Sequence, residues 1–316
     1  MKEIIISSQE EHQRLDKFLK KYFKAAGSSF LYKMMRKKNI TLNKQKATGS
    51  EILEKGDGIQ VFFSDETFDK MRGLSKNHEE FQCLKKVPYD VQVIYEDADI
   101  LIMNKPAGIL SQKSAEDDIS MNEKMLSYLI ASGQLTEEDY ETFHPSVANR
   151  LDRNTSGLLL AGKSLKGQQW LTESLRERTA EKFYRCVVKG VIAEGMQIEG
   201  YLTRDEKRNQ VTISHMPSEN GKKIITAYEP LDTNGTYTLL SVHLITGRTH
   251  QIRAHLASIH HPILGDPKYG DGKLNAKLLR EFGITYQLLH AYQMNFPDGR
   301  SFISPTPEVF QMVLTK

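Results

Sequence analysis

From residue 87 onward, short strand-like runs outnumber helices and do not alternate with them in a βαβ rhythm. Residues 182–189, 211–214, 224–229, 236–244 and 301–303 are rich in β-branched and aromatic side chains. Residues 91–95 and 100–104 form an earlier strand-like pair around the turn Glu96-Asp97-Ala98-Asp99. Helical spacing is confined to 120–131 and to 165–180, where Leu165, Trp170, Leu171 and Leu175 would face inward. Strands scattered among a few helices predict an α+β domain with a largely antiparallel sheet, not a doubly wound one. Neither a Gly-rich dinucleotide or P-loop sequence nor a Gly-x-Ser-x-Gly elbow is present, which argues against nucleotide-cofactor and α/β-hydrolase chemistry.

The first 64 residues have a different texture. Residues 14–55 carry twelve Lys and Arg against three Asp and Glu, a local balance of +9 in a chain whose total is +3. The rest of the chain therefore sums to −6. Leu15, Phe18, Leu19, Tyr22 and Phe23 recur at helical spacing with lysines opposite. After Gly27-Ser28-Ser29 a second helix is expected, with Phe30, Leu31, Met34 and Met35 inward and Lys33, Arg36, Lys37 and Lys38 outward. Ile40-Thr-Leu, a turn at Asn43-Lys44, and Gly56-Asp-Gly leading into a strand complete the segment. A concentrated basic face is the footprint of a phosphate backbone; a solvated lysine-rich surface is the bland alternative.

The length of 316 residues fits about two domains. Residues 1–64 are read as a basic module, 65–86 as a polar, aperiodic linker, and 87–316 as the larger domain. No run approaches the roughly 18 apolar residues of a membrane span. The acidic N-terminus does not resemble a secretory signal, so a cytoplasmic location is expected. Cys83 and Cys186 stand far apart, so no thiolate zinc site is expected, and Cys186 in its apolar run reads as a buried thiol. His243, His250, His255, His260 and His261 lie near Asp266, but their spacing fits no standard zinc helix. Ser156 has no His/Asp partner at a recognisable spacing. Lys105 is open to two readings, an RNA phosphate contact or an ion pair inside the fold.

The segment Asn149-Arg150-Leu151-Asp152-Arg153-Asn154-Thr155-Ser156-Gly157 sets an acid between two arginines and leads into an apolar strand. A neighbouring guanidinium keeps a carboxylate ionised, and a fixed ionised carboxylate can act as a nucleophile. By itself the pattern also fits a surface salt-bridge cluster.

This segment resembles the His-Arg-Leu-Asp-x-x-Thr-Ser-Gly signature of RluA-type pseudouridine synthases, with Asn149 in place of His. Three further segments resemble that family in the same order: Tyr95-Glu-Asp through Asn104-Lys105-Pro106; Lys182-Phe183-Tyr184; and Thr246-Gly-Arg248-Thr-His-Gln-Ile252-Arg253 followed by His261-Pro through Gly265-Asp266. The basic module is similar to the alpha-L RNA-binding motif, although Phe30 stands where that motif often has Arg. The resemblance implies an α+β synthase domain that isomerises uridine in structured RNA. Ribosomal RNA of the large subunit is the first substrate and tRNA the second; the isomerisation needs no cofactor, no metal site is expected, and a monomer is the default oligomeric state. It implies roles for Asp152 as nucleophile, Tyr184 as the ring stacking on the base, Arg248 as the cation paired with the aspartate, Ile252 as the apolar residue beneath the base, and Arg150 in displacing the target nucleotide. Lys37 and Lys38 are expected to hold RNA phosphates. A non-catalytic RNA-binding or ribosome-assembly factor on the same fold is the competing reading, which the joint presence of Asp152, Tyr184 and Arg248 disfavours.

Overall fold

The computed structural model describes residues 1–73, 76–205, 210–217, 219 and 221–315. The N-terminal unit contains β1 (Lys2–Ile5), α1 (Leu15–Tyr22), α2 (Ser28–Arg36), β2 (Ile40–Leu42), β3 (Gln45–Lys46) and β4 (Gly58–Val61). Its strands form a separate sheet in the order β1-β4-β2-β3. The spacing of Leu15, Phe18, Leu19 and Tyr22 buries one face of α1, and Leu31, Met34 and Met35 bury one face of α2. Together with Ile40, Ile59 and Val61 they make a core of their own. The β2–β3 turn places Asn43 and Lys44 at φ of 50° and 65°, the primed geometry a two-residue hairpin needs.

Residues 65–86 are not the aperiodic linker their composition suggests. They form α3 (Asp65–Arg72) and α4 (Lys76–Leu84). Ser64 caps α3 by accepting the Thr67 N–H at 3.3 Å, Asp65 and Glu66 occupy the first turn, and Gly73 ends it at φ 63°. Phe68 packs into the N-terminal core, whereas Phe81 and Leu84 pack into the larger body. So few apolar anchors show no periodicity, and the caps were the legible signal.

The body contains β5 (Val93–Glu96), β6 (Ile100–Lys105), α5 (Met121–Ala131), α6 (Glu137–Thr142), β7 (Ser146–Val147), β8 (Ser156–Gly162), α7 (Leu165–Arg176), β9 (Glu181–Lys189), β10 (Met196–Asp205), β11 (Gln210–Ser214), β12 (Lys222–Thr233), β13 (Tyr237–Leu244), α8 (Gln251–Ser258), α9 (Gly272–Phe282), β14 (Leu289–Asn295), β15 (Ser301–Ile303) and α10 (Val309–Thr315). Its sheet runs β11-β10-β12-β13-β9-β14-β8-β6-β5, with β15 on β14 and β7 on β8. Every described pairing is antiparallel except β8 with β14, as the α+β reading expects. Two strands in this order, β10 and β14, were not foreseen. In β10, Gly200 occupies an inward position between Ile198 and Leu202, and β14 is buried on both faces through Leu289, His290 and Ala291, so neither alternates clearly.

Leu171 of α7 and Ile252 and Leu256 of α8 cover one face of the sheet, over Leu158, Leu160, Tyr184 and Val242. On the other face α5 packs over Leu101, Met103 and Leu159, and α9 and α10 over Val187 and Leu239. Polar contacts tie the N-terminal unit to the body: Lys24 to Glu141 at 3.2 Å, the Gln9 amide to the Gln134 carbonyl at 2.9 Å, and the Thr142 hydroxyl to Glu10. Among the described residues no helix is long and apolar enough to cross a membrane.

Candidate active site

Asp152 sits in a turn that the chain fastens from several sides before β8 begins. The Asn149 side chain accepts the Leu160 N–H at 2.8 Å and donates to the Leu158 carbonyl at 3.2 Å, so this residue pins the approach to the turn against β8. The Ser111 hydroxyl accepts the Leu151 N–H and donates to the Leu151 carbonyl, both at 3.0 Å. The Asp152 carbonyl accepts the Thr155 N–H at 3.0 Å, and the Arg153 carbonyl accepts the Gly108 N–H at 2.9 Å. Gly157 is required where β8 meets β14: it lies at φ 108°, and a Cβ there would stand 2.2 Å from the Ala291 carbonyl oxygen.

Lys105, fully buried, closes this construction. Its ammonium donates to the carbonyls of Pro106, Ile109 and Arg153 at 2.9, 2.7 and 2.8 Å. It thus joins the end of β6 to the Asp152 turn and makes neither of the contacts expected of it. Burial pulls its pKa down to about 7, with the charge of Asp152 acting in the opposite direction.

The cation against Asp152 is Arg253, not Arg248. The Arg253 Nη1 donates to Asp152 Oδ2 at 2.7 Å, while its Nε and Nη2 grip Asp266 at 2.7 and 2.9 Å. Asp266 is fully buried and also accepts the N–H groups of Lys268 and Tyr269. The guanidinium is therefore held bidentately from behind and presents its remaining nitrogen to Asp152. Arg248 lies on the exposed side of the loop before α8, where its backbone N–H is held by Gln251 Oε1 at 3.1 Å. The turn of α8 points Ile252 and Arg253 inward. A sequence signal for this existed: His250 and Arg253, three residues apart, share one helical edge, and Asp266 completes the segment.

His250 also faces the aspartate, with Nε2 at 3.9 Å from Asp152 Oδ2. The Tyr269 hydroxyl accepts the Val211 N–H at 2.9 Å and lies 3.0 Å from His250 Nδ1. Its own proton is then free for Nδ1, which leaves Nε2–H as the nitrogen turned toward Asp152. Burial lowers the pKa of His250, opposed by Asp152, and this favours the neutral ring. Both partners address Oδ2; among the described residues no side chain hydrogen-bonds Oδ1, and the Asp152 side chain is 26% exposed. One oxygen is anchored while the other has no side-chain hydrogen-bond partner among the described residues.

Tyr184 projects from β9 into the apolar cluster that holds Leu151 and Ile252. Burial, and then the charge of Asp152, push its phenol pKa well up, so the hydroxyl keeps its proton. Asp152, Tyr184 and Ile252 thus converge as expected. Arg150 is exposed two residues before Asp152, and Lys37 and Lys38 are exposed at the end of α2 in the N-terminal unit. Ser156 does have a histidine partner: its hydroxyl lies 2.8 Å from His290 Nδ1. Both are buried in the sheet, and His290 Nε2 is directed to the Ser304 carbonyl, which makes the pair structural. Among the described residues no three His, Cys, Asp or Glu side chains form a metal-binding group.

The RNA pseudouridylate synthase family matches residues 99–258, a span containing Asp152, Tyr184, His250 and Arg253. The chain belongs to this family. As a member of the RNA pseudouridine synthases it is an isomerase. It is 30% identical over 97% of its length to a ribosomal large subunit pseudouridine synthase D of Borreliella burgdorferi, covering 90% of that protein. It is likewise 30% identical to a ribosomal large subunit pseudouridine synthase C of Buchnera aphidicola, over 98% of this chain and 95% of the relative. Two solved human structures share the synthase fold. RNA pseudouridylate synthase domain containing 1 aligns with TM-score 0.56 and 21% identity over 69% of this chain and 84% of its own. Domain containing 4 aligns with TM-score 0.57 and 19% identity over 76% and 95%.

Proposed function

We propose that this synthase isomerises uridine to pseudouridine in large-subunit ribosomal RNA, with Asp152 as its nucleophile. The observation that carries the mechanism is the asymmetry of that carboxylate: Arg253 anchors Oδ2, no side chain among the described residues hydrogen-bonds Oδ1, and the carboxylate is near enough to Tyr184 for its charge to raise the phenol pKa. The target uridine leaves its stack, at a cost of a few kcal/mol. Tyr184 supplies a flat wall for the base, and Ile252 lies beneath it. With Asp152 acting through Oδ1, the bond from the sugar C1′ to the ring N1 breaks, the base turns, and C1′ bonds to C5. The C5 proton is lost and N1 gains one, so atoms and electrons balance with no cofactor. Arg253 holds Asp152 in position, and Arg150, exposed beside it, meets the displaced nucleotide. The N-terminal unit acts as an alpha-L-type RNA-binding module whose exposed lysines, Lys37 and Lys38 among them, grip phosphates. The enzyme works as a cytoplasmic monomer. Ribosomal RNA stands ahead of tRNA because relatives similar over nearly the whole chain bear the name of large-subunit synthases. Pseudouridine mapping of ribosomal RNA and tRNA from cells with the gene, without it, and with Asp152→Asn tests this. A large-subunit site present only with the intact gene is expected; a site that persists with Asp152→Asn overturns the mechanism.

A further inference from the structure

A second cationic group lies on the reaction face, apart from the Asp152–Arg253–Asp266 chain. Lys182 and Tyr184 are two residues apart on β9, which places both side chains on the same face of the sheet, about 7 Å apart along the strand. β13 runs antiparallel beside β9, with His243 opposite Phe183. The loop leaving β13 therefore emerges beside the start of β9. A Cβ built on Gly247 in that loop would stand 3.8 Å from the Lys182 ammonium, and nothing else would be within 4 Å. The turn from α7 into β9 brings Arg178 to the same end, with its backbone in the left-handed region at φ 59°.

The surroundings of Lys182 are unusual for a half-buried lysine. Burial and the like charge of Arg178 both press its pKa down, and no carboxylate opposes them. Among the described residues neither Lys182 nor Arg178 has an ion-pair partner. The cations deeper in the site are compensated: Arg253 faces two carboxylates and Lys105 three carbonyls. A partly desolvated cation beside another, with no acid to neutralise them, is relieved by an anion from outside the protein. Gly247 leaves open space over the ammonium, and Arg248 stands next to it on the exposed side of the loop.

We infer that Lys182 and Arg178, with the Gly247 loop, form a subsite for an RNA backbone phosphate next to the uridine held at Tyr184. The inference rests on the synthase reading above. The subsite would clamp the strand one step from the extruded nucleotide and so fix where Tyr184 meets its base, while the basic N-terminal unit holds RNA elsewhere.

The test uses the full chain and a large-subunit ribosomal RNA transcript. The salt dependence of binding is measured together with KM and kcat for pseudouridine formation. Lys182→Gln is expected to raise KM about tenfold with a much smaller change in kcat, and to lower the salt slope by about one. Arg178→Gln should act in the same direction more weakly, and Lys182→Arg should restore most of the affinity. Unchanged KM and salt slope in Lys182→Gln would overturn the subsite. So would a loss confined to kcat that Lys182→Arg fails to rescue, since that marks packing beneath Tyr184. Thermal melting checks folding; should Lys182→Gln unfold, the exposed Arg178→Gln decides through its KM and slope. A wild-type enzyme that modifies tRNA but not ribosomal RNA sinks the substrate reading alone, and the same comparison is then read on tRNA.

Discussion

The two units of this chain use charge in opposite ways. In the N-terminal unit Lys33, Arg36, Lys37 and Lys38 ring the outside of α2, exposed, over an apolar core of residues such as Leu15, Phe18, Leu31, Met35 and Ile59. In the synthase body the decisive charges are inside. Arg253 and Asp266 are buried, Lys105 is fully enclosed, and the Asp152 side chain, held by Arg253, is 26% exposed. An exposed cation is screened by salt and free to meet any phosphate. A buried one is fixed by its partners and acts at a single point. On the function proposed above, burial rather than the number of charges separates a surface that gathers RNA from a site that reacts with it.

The comparison breaks most directly at Asp152. Asp152→Asn should lower kcat by about 10^4-fold while leaving RNA binding and melting temperature near wild type. The mirror experiment, Lys37→Gln with Lys38→Gln, should leave kcat alone. Activity surviving Asp152→Asn in single-turnover assays would remove the distinction.

Next in size is the contrast between two arginines. Arg253→Ala leaves buried Asp266 without its cation and should cost about 3–5 kcal/mol of stability, seen in denaturant unfolding, with loss of turnover. Arg248→Ala should change stability by less than about 0.5 kcal/mol. Equal effects would contradict the placement of Arg253 between the two carboxylates.

Acid sharpens the comparison further. Burial lowers the pKa of His255 and of His290 to about 4, and both belong to the body. Between about 6.5 and 4 the unfolded chain binds protons that the folded body refuses, so stability present above pH 6.5 is lost as pH falls through that window. Each histidine contributes a slope of up to about 1.4 kcal/mol per pH unit. His290→Gln should flatten the pH dependence measured by unfolding; an unaltered profile would show that His290 does not supply it. The smallest effect is expected at the surface: Lys37→Gln with Lys38→Gln should reduce the salt slope of RNA binding by one to two, at about 0.7–0.9 for each phosphate no longer neutralised. An unchanged slope would make these lysines ordinary solvated surface.

Much of this is legible in the amino-acid string. The helical spacing in α1 and α2, the strand-rich body and the Asp152 segment are patterns of near neighbours, and the chain folds them as written. The errors also have physical causes. Residues 65–86 hide two helices because each buries only one or two apolar side chains. Helix α8 shows no amphipathic stripe because Gln251 through Leu256 are all buried, so nothing in its periodicity told which side faced the site. Lys105 was legible as a special residue but not as a donor to three carbonyls, since two of those come from the loop just after it and the third from 48 residues away.

By itself, then, the sequence determined the division into a basic unit and an α+β body, the local turn that carries Asp152, and the strand that presents Tyr184. Only the tertiary structure decided which arginine meets the aspartate, that His250 and Tyr269 stand behind it, and that Gly157 lets β8 lie against β14. Helical spacing, caps and turns act over a few residues and leave their mark in the string. The contact between Asp152 and Arg253 spans 101 residues, and it is set by strand order and by how far α8 turns before it packs.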